Sequence, residues 1–190
     1  PNADPKTPGW HERSLRVGDL ERWYRVYVPA NLAENAPSVV LLHGGTQSMR
    51  KIFAPHAGGT RAWPELAERE RFLLLAPNGV NQDTGDTRGD NQNWNDLRPT
   101  GPGSIVKADD VAFIGRLLDW ARATYRLDPA RAYVTGASNG GMMTYRLLVE
   151  IPERFAAGAA FVANLPDSIA GEPKPARPTP LLIVNGTKDP

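Results

Sequence analysis

The sequence predicts an α/β protein with a mostly parallel sheet and helices on both of its faces. The first observation is that short apolar runs alternate along the chain with segments of helical periodicity, which is the pattern of strand–helix–strand units. The second is the run at residues 38–42 (SVVLL), which is almost continuously apolar, as a strand buried on both faces requires. The third is the length of 190 residues, which fits one domain.

The individual elements follow from the two periodicities. Further strands are predicted at residues 23–28, 72–76, 131–135, 159–162 and 181–184. Helices are predicted at residues 61–70, 110–125 and 139–150, where apolar side chains recur every three or four positions. Asp109 or Asp110 is expected to cap the second helix. Residues 81–103 have no periodicity and predict a long loop, which in compact domains is usually functional or disordered.

Composition excludes several classes of function. Lys and Arg number 22 and Asp and Glu 21, a net charge of +1 without a basic block, so nucleic acid is not an expected partner. No stretch approaches the roughly 18 apolar residues of a membrane span. The absence of cysteine excludes disulfides, thiolate metal sites and a cysteine nucleophile. Residues 1–14 are predicted to be an N-terminal tail, followed by a single domain at 15–190.

The most specific motif is G-x-S-x-G at residues 136–140, between a predicted strand and a predicted helix. A sharp turn of this kind exposes the serine hydroxyl, and the glycines allow strand and helix to pack closely around it. The following helix directs its first backbone N–H groups toward an oxyanion. Ser138 is therefore predicted to be a nucleophile, with the N–H of Asn139 as one oxyanion-hole donor.

A dinucleotide-binding interpretation of the same segment fails. The letters VTGASNG also resemble the cofactor loop of short-chain dehydrogenases, but Met142 occupies the position of that pattern's last glycine. At least three strand-like runs precede the segment, whereas such a loop normally follows the first strand. The Tyr-x-x-x-Lys pair of those enzymes is absent from the sequence. We therefore exclude a dehydrogenase.

A second turn complements the serine motif. The buried strand at 38–42 leads directly into His43-Gly44-Gly45-Thr46, a His-Gly-Gly turn of the kind that supplies a second oxyanion N–H in G-x-S-x-G hydrolases. Gly45 is the predicted donor, and Thr46 is the alternative. Because of its position in this turn, His43 is interpreted as a structural histidine that hydrogen-bonds the loop.

Two further positions are candidates for the site. Asp189 follows the last predicted strand, where the orienting carboxylate of a Ser…Asp…His series belongs; the alternative is an ordinary turn aspartate before a proline. Trp94 stands among asparagines in the long loop and is predicted, with Thr46, to contact substrate. The alternative for Trp94 is that it fixes the loop to the body of the protein.

Together the motifs resemble one family. Its segments here are LLHGGTQS (41–48), ADDVAFIGRLLDW (108–120), RAYVTGASNGGMMTYRL (131–147), PERFAA (152–157) and VNGTKDP (184–190). They are similar to the α/β-hydrolase esterases that group polyhydroxybutyrate depolymerases with feruloyl and acetylxylan esterases. The resemblance extends from about residue 15 onward.

The resemblance implies an α/β-hydrolase fold and a secreted or periplasmic serine esterase that needs no metal and no cofactor. Its substrate would be a small-molecule or polymeric ester, with feruloyl, acetyl and hydroxyalkanoate esters all left open. Residue by residue, the family pattern assigns Ser138 as nucleophile, Asp189 as triad acid, and the N–H groups of Gly45 and Asn139 as oxyanion hole.

The histidines depart from that pattern. The family's base follows the acid, whereas His11, His43 and His56 all precede Ser138. We therefore expect the fold to be truncated before its final strand and helix, with the base outside this chain; His56 is the alternative base. Two further hypotheses are a hydrolase-like binding protein that has lost its base and a serine peptidase of the same fold.

Overall fold

The computed structural model describes residues 4–98, 108–170 and 175–188, which form one seven-stranded sheet in the order β1-β2-β4-β3-β5-β6-β7. The strands are β1 Gly9–Val17, β2 Leu20–Val28, β3 Ser38–Leu42, β4 Leu73–Pro77, β5 Ala132–Ala137, β6 Ala157–Phe161 and β7 Leu181–Val184. The helices are α1 Trp63–Glu70, α2 Asp110–Tyr125, α3 Asn139–Glu150 and α4 Asp167–Ala170. Three 3₁₀ turns lie at Lys51–Phe53, Gly58–Ala62 and Pro152–Arg154.

The sheet is mostly parallel, as predicted. β4, β3, β5, β6 and β7 run parallel to one another, whereas β2 pairs antiparallel with both β1 and β4. The register of the two central strands sets Leu42 opposite Gly136. Because the carboxyl ends of parallel neighbours meet at one edge of a sheet, the turn after β3 and the turn after β5 lie side by side.

The hydrophobic core explains why the central strands are apolar on both faces. On one face, residues such as Val40 and Leu75 pack against α2 and α3 residues such as Phe113 and Leu147. On the other face, a smaller cluster includes Leu41, Leu74 and Ala76, with α1 contributing Ala67 and Leu66. Within the described ranges, no helix combines the length and the apolar character that a membrane crossing requires.

The predicted N-terminal tail needs correction. Residues 9–14, assigned to the tail at 1–14, belong to β1, which pairs with β2 along its whole length from Gly9↔Val28 to Val17↔Leu20. The strand is at the edge of the sheet, and all of its side chains are half-buried or exposed. An edge strand with charged side chains lacks the apolar alternation by which a strand is recognised in a sequence.

The opposite edge of the described sheet is β7. Its bounds, and those of α3, coincide with the predicted ranges. Three of its four side chains are strongly exposed although they are apolar: Leu182 at 57%, Ile183 at 54% and Val184 at 43%.

Candidate active site

Ser138 occupies a strained turn between β5 and α3. Its backbone dihedrals are φ 54° and ψ −124°, a region that non-glycine residues rarely occupy and that is often found at functional sites. Its N–H donates to Phe161 O at 2.9 Å, which fixes the turn against β6. The residue is exposed, so its hydroxyl is accessible in the cleft above the sheet.

The two glycines of the motif are required by close contacts. A Cβ on Gly136 would lie 2.6 Å from the carbonyl carbon of Gly140. One on Gly140 would lie 2.5 Å from His43 O and 2.6 Å from Leu42 O. β5, α3 and the end of β3 therefore approach each other at a distance that only glycine permits.

Two backbone N–H groups beside Ser138 are free to bind an anion. A Cβ built on Gly44 would lie 3.9 Å from Ser138 Cβ, and one on Gly45 would lie 3.6 Å from Asn139 Cβ, so the two turns are in contact. Within the described residues, neither the Gly45 N–H nor the Asn139 N–H has an acceptor. Two unpaired N–H donors beside a serine hydroxyl are what an oxyanion hole requires.

Thr46 is less suited to be the second donor. Its N–H already donates to Asn93 Oδ1 at 3.3 Å, and its hydroxyl donates to Gly45 O at 2.7 Å. The residue is exposed and lines the cleft, where it was predicted to contact substrate. The geometry therefore favours Gly45 over Thr46 as the oxyanion donor.

His43 is a buried, neutral residue whose ring nitrogens are both engaged. Nε2 accepts a hydrogen bond from the Gly79 N–H at 2.9 Å, which leaves the proton on Nδ1, 2.7 Å from Gly44 O. Burial lowers the pKa of His43 to about 4. A ring held in this way supports the turn and has no nitrogen left to accept the Ser138 proton.

Trp94 lies beneath the site and does not form a wall of the cleft. It is 1% exposed, its ring centroid lies 4.7 Å from that of His43, and Nε1 donates to His43 O at 2.8 Å. The burial of Trp94 therefore argues against the predicted substrate contact and favours the alternative interpretation, in which this tryptophan fixes the loop to the body of the protein. The indole needs both apolar surroundings and a hydrogen-bond acceptor, and the underside of the turn after β3 supplies them.

The Asn139 side chain has a second role that the sequence did not reveal. Its Oδ1 accepts from Trp94 N at 2.7 Å, and its Nδ2 donates to Trp94 O at 3.1 Å and to Asp96 Oδ2 at 2.6 Å. Asn139 thus anchors the long loop through its carboxamide. An asparagine at the start of a helix carries no sequence pattern that would predict hydrogen bonds to residues so far away in the chain.

The two aspartates at the start of α2 have different partners and different roles. Asp109 is the N-cap and accepts from Ala112 N at 2.9 Å. Asp110 is buried and forms an ion pair with Arg22 at 2.6 Å, with both side chains 1% exposed. Its other oxygen accepts from Asn95 N at 2.7 Å, so the ion pair also holds the long loop.

The cleft around Ser138 has a volume of about 1030 Å³. Its apolar lining includes Ile52, Trp63 and Phe161, and its polar lining includes Lys51 and His56. The sequence analysis singled out none of these apolar residues for substrate contact. Ile52, Trp63 and Phe161 come from three separate segments of the chain, and only the fold brings them together.

The remaining candidates are His56, His11 and Asp189. His56 is exposed in the same cleft as Ser138. His11 lies on edge strand β1, with Nε2 2.7 Å from Thr7 O. Asp189 falls outside the described residues. In the part of the chain that the structure describes, no group of three or more His, Asp or Glu side chains could hold a metal ion.

Comparison with known proteins adds relatives to this geometry. Residues 105–166 match the prolyl oligopeptidase family of peptidases. The chain is 30% identical over 185 residues to the bifunctional acetylxylan esterase/xylanase XynS20E of Neocallimastix patriciarum, a match covering 97% of this chain and 23% of that protein. It is 35% identical over 141 residues to poly(3-hydroxyalkanoate) depolymerase C of Paucimonas lemoignei, covering 74% of this chain and 30% of that protein.

The fold has solved counterparts as well. The structure of a thermostable esterase superposes with a TM-score of 0.68 at 21% identity, over 92% of this chain and 45% of that one. The chain thus spans less than half the length of each of these three proteins. The comparisons group it, as its motifs predicted, with the α/β-hydrolase esterases that include polyhydroxybutyrate depolymerases and feruloyl and acetylxylan esterases.

Proposed function

We propose that the protein is a serine esterase that hydrolyses carboxylic esters through an acyl-enzyme on Ser138. One observation carries the proposal: an exposed serine on a strained turn lies beside two backbone N–H groups, of Gly45 and Asn139, that lack acceptors in the described part of the chain. A nucleophile next to free donors is what acyl transfer needs.

The reaction has two steps. Ser138 Oγ attacks the ester carbonyl carbon, and the resulting oxyanion accepts hydrogen bonds from the Gly45 and Asn139 N–H groups. A base removes the serine proton and passes it to the alcohol, which leaves while the acyl group stays on Ser138. A water molecule, deprotonated by the same base, then attacks the acyl carbon, so that the acid is released and Ser138 is restored.

We assign the base to a histidine outside these 190 residues, oriented by Asp189. Two facts support this assignment: both nitrogens of His43 are engaged, and His11 lies at the β1 edge of the sheet. His56 is the second candidate because it lines the cleft. In the full-length protein, His56→Gln is expected to change kcat less than about tenfold, whereas loss of a true base costs several orders of magnitude.

The substrate is proposed to be a feruloyl, acetyl or hydroxyalkanoate ester, and the protein to act in the periplasm or outside the cell. The lining of the cleft supports an ester with an apolar portion, because Ile52, Trp63 and Phe161 offer apolar surface next to Ser138. The relatives named above include an acetylxylan esterase and a polyhydroxyalkanoate depolymerase.

A serine peptidase is the second candidate function, and the match of residues 105–166 to the prolyl oligopeptidase family favours it. The test compares p-nitrophenyl acetate with the p-nitroanilide of the same acid, using the full-length protein and its Ser138→Ala variant. We expect turnover of the ester far above that of the amide, and loss of both in the variant. Equal or faster turnover of amides would favour the peptidase, and a fully active variant would exclude both proposals.

A further inference from the structure

Thr46 has an unusual backbone conformation for its residue type. Its φ is +58°, in the left-handed region, where a β-branched side chain is disfavoured. Among the described non-glycine residues with positive φ, Thr46 and Ser138 are the two that line the cleft. Backbone strain in the cleft is therefore found at two residues, Ser138 and Thr46. Strain of this kind is often located at functional sites.

Three contacts hold Thr46 in this conformation. Its N–H donates to Asn93 Oδ1 at 3.3 Å, and its carbonyl oxygen accepts from Lys51 Nζ at 3.4 Å. Its own hydroxyl donates to the preceding carbonyl, Gly45 O, at 2.7 Å. Lys51 is exposed and its long side chain is easily displaced, so Asn93 provides the firmer of the two external contacts.

Asn93 is itself fixed in place. Its backbone N–H and C=O pair with Val80 at 3.0 Å each, and the neighbouring Gln92 N–H donates to Gln47 O at 2.9 Å. The same Oδ1 atom that binds Thr46 lies 3.0 Å from the position a Cβ on Gly45 would occupy. Asn93 therefore contacts both the strained residue and the residue that carries the oxyanion donor.

We propose that Asn93 is a positioning residue for the oxyanion hole. By accepting from the Thr46 N–H, Asn93 holds the Gly45–Thr46 peptide and so restrains Gly45, whose own N–H is the proposed oxyanion donor. It also keeps the Thr46 N–H from competing for the oxyanion. The inference rests on the proposed esterase function, and it adds a role for a side chain that does not touch the reacting atoms.

The prediction concerns kcat. In the full-length protein, Asn93→Ala is expected to lower kcat for p-nitrophenyl acetate about 10- to 100-fold and to leave KM within about twofold. The reason is that oxyanion donors act in the transition state, and that loss of one such donor costs about 10²- to 10³-fold. The matched control is Asn91→Ala, whose side chain is exposed in the same loop and which is expected to leave kcat unchanged.

A second substitution separates positioning from general support of the fold. Glycine adopts positive φ without strain, so Thr46→Gly should make the loop less dependent on Asn93. We therefore expect Asn93→Ala to lower kcat by a smaller factor in the T46G background than in the unsubstituted protein. An equal factor in both backgrounds, or a double variant that does not fold, would overturn the positioning role.

The outcomes also distinguish this inference from the function on which it rests. Ester turnover by the unsubstituted protein, combined with an unaffected N93A variant, would leave the esterase standing and remove the role of Asn93. If the unsubstituted protein does not hydrolyse esters at all, the proposed function fails first.

Discussion

The two turns that meet at Ser138 are stabilised in different ways. The turn after β5 depends on glycines of its own motif: Gly136 permits the close approach of strand and helix, and Gly140 permits that of the helix and the end of β3. The turn after β3, residues 43–49, is held by partners 29 to 51 positions away along the chain, from Met49–Asn78 to His43–Trp94. The turn that carries Ser138 thus relies on glycines within a short motif, whereas the turn that carries Gly45 relies on residues 78–94, in and just before the long loop.

The largest expected effect lies at the distal anchor of that long loop. Asp110→Ala leaves Arg22 buried without a carboxylate, and is expected to lower the free energy of unfolding by about 3–5 kcal/mol. Urea unfolding followed by tryptophan fluorescence measures the change. The neighbouring Asp109→Ala removes only a helix cap and should cost about 1 kcal/mol. Equal losses in the two variants would contradict the structural role of the ion pair.

A pH effect comes next, and it belongs to the turn after β3. The pKa of His43 is about 4 in the folded protein and near 6.5 in the unfolded chain, so between these values the unfolded state binds more protons. The free energy of unfolding should therefore fall as the pH drops from 6.5 toward 4, by roughly 3 kcal/mol in total.

The control for this pH dependence is His43→Gln, which cannot titrate. Unfolding free energies at pH 7 and pH 4.5 in both proteins isolate the histidine's contribution as the difference between the two slopes. The same slope in both proteins would mean that His43 is not buried in its neutral form.

The turn after β5 should respond to a single methyl group. Gly140→Ala places a Cβ 2.5 Å from His43 O, and overpacking of this kind is expected to cost about 2 kcal/mol and to displace Ser138. Gly115→Ala is the matched control, because Gly115 lies inside α2 and its Cβ would meet no atom within 4 Å. There the alanine should stabilise the helix by about 0.5–1 kcal/mol. Tolerance of alanine at both positions would contradict the close packing of the turn after β5.

The smallest effect tests the placement of the two tryptophans. Trp94→Phe keeps the ring on His43 but loses the Nε1 hydrogen bond, which should cost about 1 kcal/mol of stability and leave KM unchanged. Trp63→Ala, in the cleft lining, should raise KM for aromatic esters. A raised KM for Trp94→Phe alone would place Trp94 at the substrate after all.

Local signals explain what the sequence could predict. Periodicity and glycine spacing, each read within about ten residues, predict the parallel strands, α2, α3 and the turn between β5 and α3. β1 was missed because an edge strand needs no apolar face, and its partner β2 is what defines it.

The site shows the same limit. A tryptophan among asparagines has the composition of a pocket wall, so the sequence around Trp94 predicts a substrate contact. Only the hydrogen bond from Trp94 Nε1 to His43 O shows that the side chain is a buried anchor instead. The role of Asp189 as triad acid and the external histidine remain predictions.

The central claim is that Ser138 is an esterase nucleophile, and covalent labelling tests it most directly. The full-length protein is treated with a fluorophosphonate, digested, and the modified peptide is identified by mass spectrometry. We predict one phosphonyl group on Ser138, together with loss of p-nitrophenyl acetate turnover. A folded protein that hydrolyses the ester but carries the label on another residue, or no label, would contradict the claim.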